Sequence, residues 1–315
     1  MVNGPALPAT RLSLSNWPGS PTPSKLRGDT GAETVLNFLK SDDRRTLIGE
    51  TEAVTCGRFD CGGILALWAV LNRDAAIAQA ARLVAASRAA EFGVSDTMEA
   101  TGLVLAIDAY LRPEESPLGP AVFELPTEQR DAALYQALLG QVGGMIEDIR
   151  KFDLLWIGEY TDVLQSEALI NSGAVTVDSV PDLDLVILDS PLELHSLARL
   201  TLSAGRSRLL RVRSENTYVL EYRYESWVQY QSYHPLPRIA LAPLATRLNM
   251  FERRDGRWRT EPVSEPRPKL FFDGGSGRPS ASSIDRETVV EEVLDFLRSH
   301  REDRSLRWSP FLGEL

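Results

Sequence analysis

The apolar positions of this chain change rhythm twice along its 315 residues. Ile64 to Leu71 form an unbroken apolar run that predicts a helix buried on most sides, and Glu52-Ala53-Val54-Thr55-Cys56 before it reads as a short strand. The seven residues GRFDCGG, Gly57 to Gly63, lie between them. Alanine-rich patterns predict helices over roughly 62–71, 73–90 and 97–111; Asn72-Arg73-Asp74 divides the first two, and Gly93, Ser95 and Asp96 stop the second and cap the third. Upstream, Val35, Leu36, Phe38 and Leu39 suit a short one-sided helix after Asp29-Thr30. Leu12, Leu14 and Trp17 give the Pro- and Gly-rich opening something to bury, so an ordered wrap is expected there. Prolines 113, 117, 120 and 126 exclude a helix interior over 112–126. A further helix is expected from Thr127 to about Asp153, weakened by glycines 140, 143 and 144, where another backbone is expected to approach closely.

Beyond about residue 174 β-formers dominate: Leu183, Leu185 and Ile187, then Leu209 and Val212, then Tyr218 to Val228, with Ser214-Glu215-Asn216 as a hairpin turn. Tyr222 to Tyr230 alternates as a strand with Arg223, Glu225, Trp227 and Gln229 on one face. Trp258 and Leu270 to Phe272 add two strand candidates, and Ile284 to His300 reads as a helix with Val289, Val290, Val293, Leu294 and Leu297 inward. The pattern predicts an α/β protein. Residues 1–172 form an N-terminal lobe with a mainly parallel sheet and flanking helices, and residues 173–315 a mixed, mainly antiparallel lobe.

Composition narrows the function classes. No apolar stretch is long enough to span a bilayer, and the opening MVNGPALPAT has neither the basic start nor the apolar core of a secretory signal, so a cytoplasmic protein without a membrane partner is expected. The formal charge of −10, from 44 acidic against 34 basic side chains, opposes nucleic-acid binding. Arg206, Arg208, Arg211 and Arg213 are a local exception, read as a charge-protected edge strand on which Arg211 and Arg213 share a face that Arg206 and Arg208 do not. Cys56 and Cys61 read as small hydrophobes rather than a disulfide or zinc framework. The chain has no G-x-S-x-G elbow, no Walker loop and no G-x-G-x-x-G after a strand.

Candidate chemistry gathers at Asp60. Strand, GRFDCGG loop and apolar helix together resemble the opening motif of the DHH phosphoesterase superfamily, where a G-D-Y-D-x-D-G type loop supplies aspartates to a divalent metal pair. The chain also resembles an uncharacterised bacterial and plant family of unknown function with an N-H-F-D-x-D-G loop. That likeness runs from Leu12 to about Leu270 through LSNWPGSPTP, Asp29-Thr30, FDCGGILALWAVLN, AAEFG at Ala89 to Gly93, LELHSLA and YRYESWVQY. These resemblances imply phosphoester hydrolysis by a metal-activated water with Mn or Mg, Asp60 as ligand or base, and Asp29 and Glu91 as further metal ligands. The loop departs from both patterns: Arg58 stands where His or Asp is usual, and Gly62 where the second Asp is. One carboxylate fewer, with a guanidinium two residues away, favours an anion over a cation. Gly62 and Gly63 at a helix start can offer N–H groups to that anion, with Arg58 adding charge. Asp60 before two glycines reads equally as a plain helix N-cap paired with Arg58.

His195 sits in the family-like LELHSLA segment and is the histidine fit for acid, base or ligand work, or else for a backbone hydrogen bond; His300 suits the C-terminal dipole of the last helix. Arg223 and Glu225 form either an inward ion pair that touches substrate or a solvated ladder, and Arg238 either a substrate contact or a surface salt bridge. The expectation is a DHH-like hydrolase acting on a small anionic molecule in a cleft between lobes, with weakened metal dependence. The alternatives are metal-free binding of an anion and a non-catalytic partner protein that retains the fold.

Overall fold

The structure, a computed structural model, describes residues 1–311. The chain divides into two compact units: residues 1–164, 196–201 and 230–232 make the first, and residues 165–195, 202–229 and 233 onward the second.

The first unit is helical. Its elements are α1 (Gly31–Lys40), α2 (Arg44–Ile48), α3 (Cys61–Leu71), α4 (Arg73–Ala78), α5 (Ala80–Phe92), α6 (Met98–Ala109), α7 (Thr127–Leu139), α8 (Val142–Glu147), the first part of α9 (Asp153–Asn171) and most of α10 (Ser196–Leu202). Thr30 opens α1 with a capping box: its side chain accepts from the Glu33 N–H at 3.1 Å, and the Glu33 carboxylate accepts from the Thr30 N–H at 3.0 Å. The α3 run Ile64, Leu65, Ala66, Trp68 and Ala69 is buried in the unit's core, with Val35 and Phe38 of α1 and Leu103 and Ile107 of α6 in the same cluster. The opening segment is ordered as expected, with Leu14 buried. The expected parallel sheet is not formed. Among the described residues of this unit, β pairing is confined to single bridges, Val2 with Leu14 and Val2 with Cys56. The cause lies in the segment read as a strand: Glu52, Ala53 and Thr55 are exposed and only Val54 and Cys56 are half-buried, so there is no apolar face for a partner strand to cover. The helix expected from Thr127 to Asp153 is divided after Leu139 and again after Glu147. Aromatic rings rather than a backbone approach two of its glycines, with a Cβ at Gly143 falling 3.3 Å from Trp68 and one at Gly144 3.4 Å from Phe152, while a Cβ at Gly140 would meet open space.

The second unit is built on a six-stranded sheet of β1 (Thr176–Val180), β2 (Leu185–Ser190), β3 (Arg208–Arg213), β4 (Thr217–Tyr222), β6 (Arg257–Thr260) and β7 (Lys269–Asp273), in the order β1-β2-β3-β4-β7-β6. β5 (Arg238–Ile239) and β8 (Arg307–Trp308) pair separately. Only β2–β3 is parallel, with Ile187 opposite Leu210; every other pairing is antiparallel. The β3–β4 hairpin turns where expected, with Glu215 at φ 63° and Asn216 at φ 55°. α11 (Ala242–Phe251) and α12 (Arg286–Ser299) contribute Leu244, Leu248, Val289, Val293 and Phe296 to the core beneath the sheet. At the end of α12, His300 Nδ1 lies 3.0 Å from the Phe296 carbonyl, as its place at the helix C-terminus predicts.

Two expectations are corrected. β3 is an interior strand, not an edge. Arg208 is buried, its guanidinium donating to the carbonyls of Leu183 and Pro237, while Arg211 and Arg213 share the opposite face and both grip Glu193 at 2.6 Å. The strand read from Tyr222 to Tyr230 ends at Tyr222, because Tyr224–Ser226 turn into a short 3-10 segment. Among the described residues, no helix is long and apolar enough to cross a membrane.

Candidate functional site

The loop Gly57–Gly63 turns into α3 through Asp60, an extended N-cap at φ −149° and ψ 162°. Its Oδ1 accepts from the Gly63 N–H at 2.6 Å and from Asn3 Nδ2 at 3.2 Å. The capping reading is therefore correct as geometry, and the two glycines after it have specific neighbours. A Cβ on Gly63 would fall 2.9 Å from Cys56 Sγ, 3.2 Å from Tyr135 Oη and 3.3 Å from Asp60 Oδ1, so thiol, phenol and carboxylate converge on a point that only glycine leaves free. A Cβ on Gly62 would meet Glu91 Cγ at 2.7 Å and its Oε1 at 3.0 Å. Glu91, on α5, thus fills the space beside residue 62.

Glu91 is a buried carboxyl held by the Gly31 N–H at 2.9 Å, by Ser87 Oγ at 3.1 Å and by Asn16 Nδ2 at 3.4 Å. Burial pushes its pKa up to about 8; the hydrogen bonds oppose the rise and the Asp60 charge adds to it. Burial and the same charge lift the Cys56 thiol to about 11, a Tyr135 hydrogen bond opposing, and raise the Tyr135 phenol. Around Asp60 the structure therefore gathers groups that stay protonated at neutral pH. Two carbonyl oxygens here, Asn3 Oδ1 and Asn16 Oδ1, are buried without a hydrogen-bond donor. The loop is closed from outside by Asp131, whose Oδ2 accepts from the Phe59 N–H at 3.2 Å, and by an edge-on contact of Phe59 with Tyr135, ring centroids 5.0 Å apart.

Glu91 lies close enough to Asp60 for that charge to raise its pKa. Asp29 is used elsewhere: its Oδ1 accepts from the N–H groups of Gln231 (2.7 Å) and Ser232 (2.8 Å), and its Oδ2 accepts from the Ser232 hydroxyl. Mn or Mg is poorly served by this set. Asp29 spends both oxygens on three donors, Glu91 is held neutral, and no group of three His, Cys, Asp or Glu suited to a metal occurs among the described residues. Arg58 is exposed and forms no ion pair among the described residues, so it does not neutralise Asp60. A groove of about 450 Å³ between α1 and α5, lined by Leu36, Lys40, Val84 and Arg88 among others, is touched by no loop residue.

The other expected site residues belong to the second unit. His195 is half-buried, and its backbone N–H donates to Ser166 Oγ at 2.9 Å. Arg223 and Glu225 form the inward ion pair at 2.6 Å, brought together by the 3-10 turn rather than by strand alternation; Arg223 also donates to Ser203 Oγ at 2.8 Å. Burial raises the Glu225 pKa against the pull of Arg223. Arg238 is wholly buried and is not a surface ion pair. Its five N–H groups go to Ser226 Oγ and to the carbonyls of Val263, Glu265, Arg223 and Pro266, while its guanidinium lies over Tyr222 and Trp308, at 5.5 and 5.1 Å. No donor is left for a ligand.

A family model described as a family of unknown function, DUF6687, matches residues 1–308. The chain belongs to that family. No curated protein and no solved structure matches the chain. The DUF6687 match takes in the loop and Asn3, Asn16, Glu91 and Tyr135 alike. Asn3, Asn16 and Tyr135 escape sequence reading because each is an ordinary polar residue, far along the chain from Asp60, with no motif around it.

Proposed function

We propose that this DUF6687 chain is a hydrolase of small anionic phosphoesters, working at the start of α3 without a firmly held metal pair. The observation that carries the reading is the Asp60 carboxylate among groups held protonated, Glu91, Tyr135 and Cys56, beside the exposed guanidinium of Arg58. Titratable groups driven apart in this way divide the roles of base and acid between them. Arg58 receives the phosphoryl oxygens, Asp60 takes a proton from the attacking water, and the Tyr135 phenol returns one to the leaving oxygen as the P–O bond breaks. The likeness of the loop to the DHH phosphoesterases supports the reaction class. The engagement of Asp29 and Glu91 supports the weakened need for a metal.

Aryl phosphate mono- and diesters assayed with and without EDTA test it. Asp60→Asn keeps a competent N-cap, so its loss of at least about 100-fold in kcat, with Arg58→Ala raising KM, is the expected result. An Asp60→Asn enzyme as fast as the wild type overturns the mechanism. Phosphate binding that depends on Arg58 without any turnover converts the reading to one of anion binding alone.

A further inference from the structure

Asn3 holds a backbone conformation that few residues accept. Its φ is 43°, in the left-handed region, which asparagine and aspartate tolerate better than other residues with a Cβ. Two neighbouring segments fix it there: the Asn3 N–H donates to the Leu14 carbonyl at 3.1 Å, and the Val2 N–H before it donates to the Thr55 carbonyl at 2.8 Å. The chain then passes so close to the loop that a Cβ on Gly57 would fall 3.0 Å from the Asn3 carbonyl oxygen. The Asn3 side chain, 2 % exposed, is thereby set against Asp60.

Charge decides which way the amide points. Asn3 Nδ2 lies 3.2 Å from Asp60 Oδ1 and 3.5 Å from Oδ2, and the reversed amide would set an oxygen against a carboxylate that can only accept. Asn3 Oδ1 is therefore turned to the side of Glu91. It lies 3.1 Å from the place of a Cβ on Gly31, with Glu91 Oε1 3.4 Å from the same point. The N-cap itself needs only the Gly63 N–H, bonded to Oδ1 at 2.6 Å, whereas Asn3 also reaches the second carboxylate oxygen. A turn at φ 43° would be served equally well by glycine, so the backbone alone does not call for the amide. We infer that Asn3 is a positioning residue for Asp60, fixing the plane in which the carboxylate meets the attacking water. This role rests on the part given to Asp60 in phosphoester hydrolysis.

Two substitutions in the full chain separate this role from a turn-making one. Asn3→Gly keeps the left-handed turn and deletes the amide, and Asn3→Asp keeps the turn and sets a carboxylate against Asp60. With aryl phosphates, Asn3→Gly is expected to lower kcat about 10- to 100-fold, the range for a lost hydrogen bond to a charged group. KM stays within about twofold, and Asn3→Asp lowers kcat further. A turn-making role leaves Asn3→Gly at the wild-type kcat; that result overturns the proposal, and so does a loss carried by KM. If the wild type turns over no aryl phosphate, the hydrolase reading fails by itself, and the Gly63 amide hydrogen, bonded to Asp60, decides the role of Asn3. Its exchange, followed by NMR, is expected to speed up at least about tenfold in Asn3→Gly relative to that of Ile107 in the core. No change at Gly63, or an equal change at both residues, overturns the proposal.

Discussion

Glu91→Gln isolates the energetic cost of the buried carboxyl, and its sign depends on pH. In the folded chain Glu91 binds its proton up to about pH 8, whereas its ordinary pKa is 4.5. A folded-state value above the unfolded one means that the neutral carboxyl's contribution is complete below pH 4.5. It is then lost progressively as pH rises toward 8. At about 1.4 kcal/mol per pH unit, the loss reaches about 3 kcal/mol at pH 7 and about 5 kcal/mol at pH 8 and above. Glutamine has the same shape and does not ionise. Its oxygen can accept from Gly31 and Ser87, and its NH₂ enters a neighbourhood where Asn3 Oδ1 and Asn16 Oδ1 have no donor, at the expense of the long 3.4 Å contact from Asn16. The variant is therefore expected to match the wild type within about 1 kcal/mol near pH 5 and to exceed it by several kcal/mol at pH 8. Urea unfolding followed by tryptophan fluorescence at the two pH values measures the difference directly. A stability difference that is the same at pH 5 and pH 8 would refute the argument, because it would mean that Glu91 does not hold its proton in the folded chain.

Three further outcomes follow from the packing. Gly62→Ala drives a methyl to 2.7 Å from Glu91 Cγ and costs about 1–3 kcal/mol, and the same change in a Glu91→Ala background costs clearly less, read as a coupling in a double-mutant cycle. Arg223→Met leaves the Glu225 carboxyl buried without its partner and lowers stability by about 3–5 kcal/mol, much of which returns in Arg223→Met/Glu225→Met. Arg238→Lys cannot reach five acceptors with three donors, so the melting temperature falls while any activity of the folded fraction stays, which a thermal melt paired with the aryl phosphate assay resolves.

The elements that were legible in the sequence are those whose signal is local. α3 announces itself by Ile64 to Leu71 behind the Asp60 cap, the β3–β4 hairpin by Ser214-Glu215-Asn216, and α12 by its inward valines. What failed depends on partners that a one-dimensional pattern does not show. Glu52 to Cys56 has the residues of a strand but only the single Val2–Cys56 bridge to pair with, and the alternation after Tyr222 gives way to a turn that serves the Arg223–Glu225 pair. β3 looked like an edge because of its arginines, yet Arg208 is buried and Arg211 is matched by Glu193. Asp60 and Glu91, singled out from the loop and from segments like those of the family, cap α3 and lie beside Gly62 respectively. The donors that engage Asp29 were not legible, because residues 231 and 232 lie far along the chain.

Asp29 also sets a clock on the birth of the molecule. Its first backbone donor, at Gln231, lies 202 residues downstream, and Gly93, at φ 68°, packs against Leu200. At roughly 5–20 residues per second, the ribosome needs about 10–40 s after Asp29 emerges to deliver its partner. During that interval the helices up to α9 can form, but the carboxylate remains without the donors that hold it in the finished unit. A fragment ending at residue 164 would stay in that condition permanently. The segments at 196–201 and 230–232 act as late fasteners, so the helical unit is completed only when much of the other unit has been synthesised.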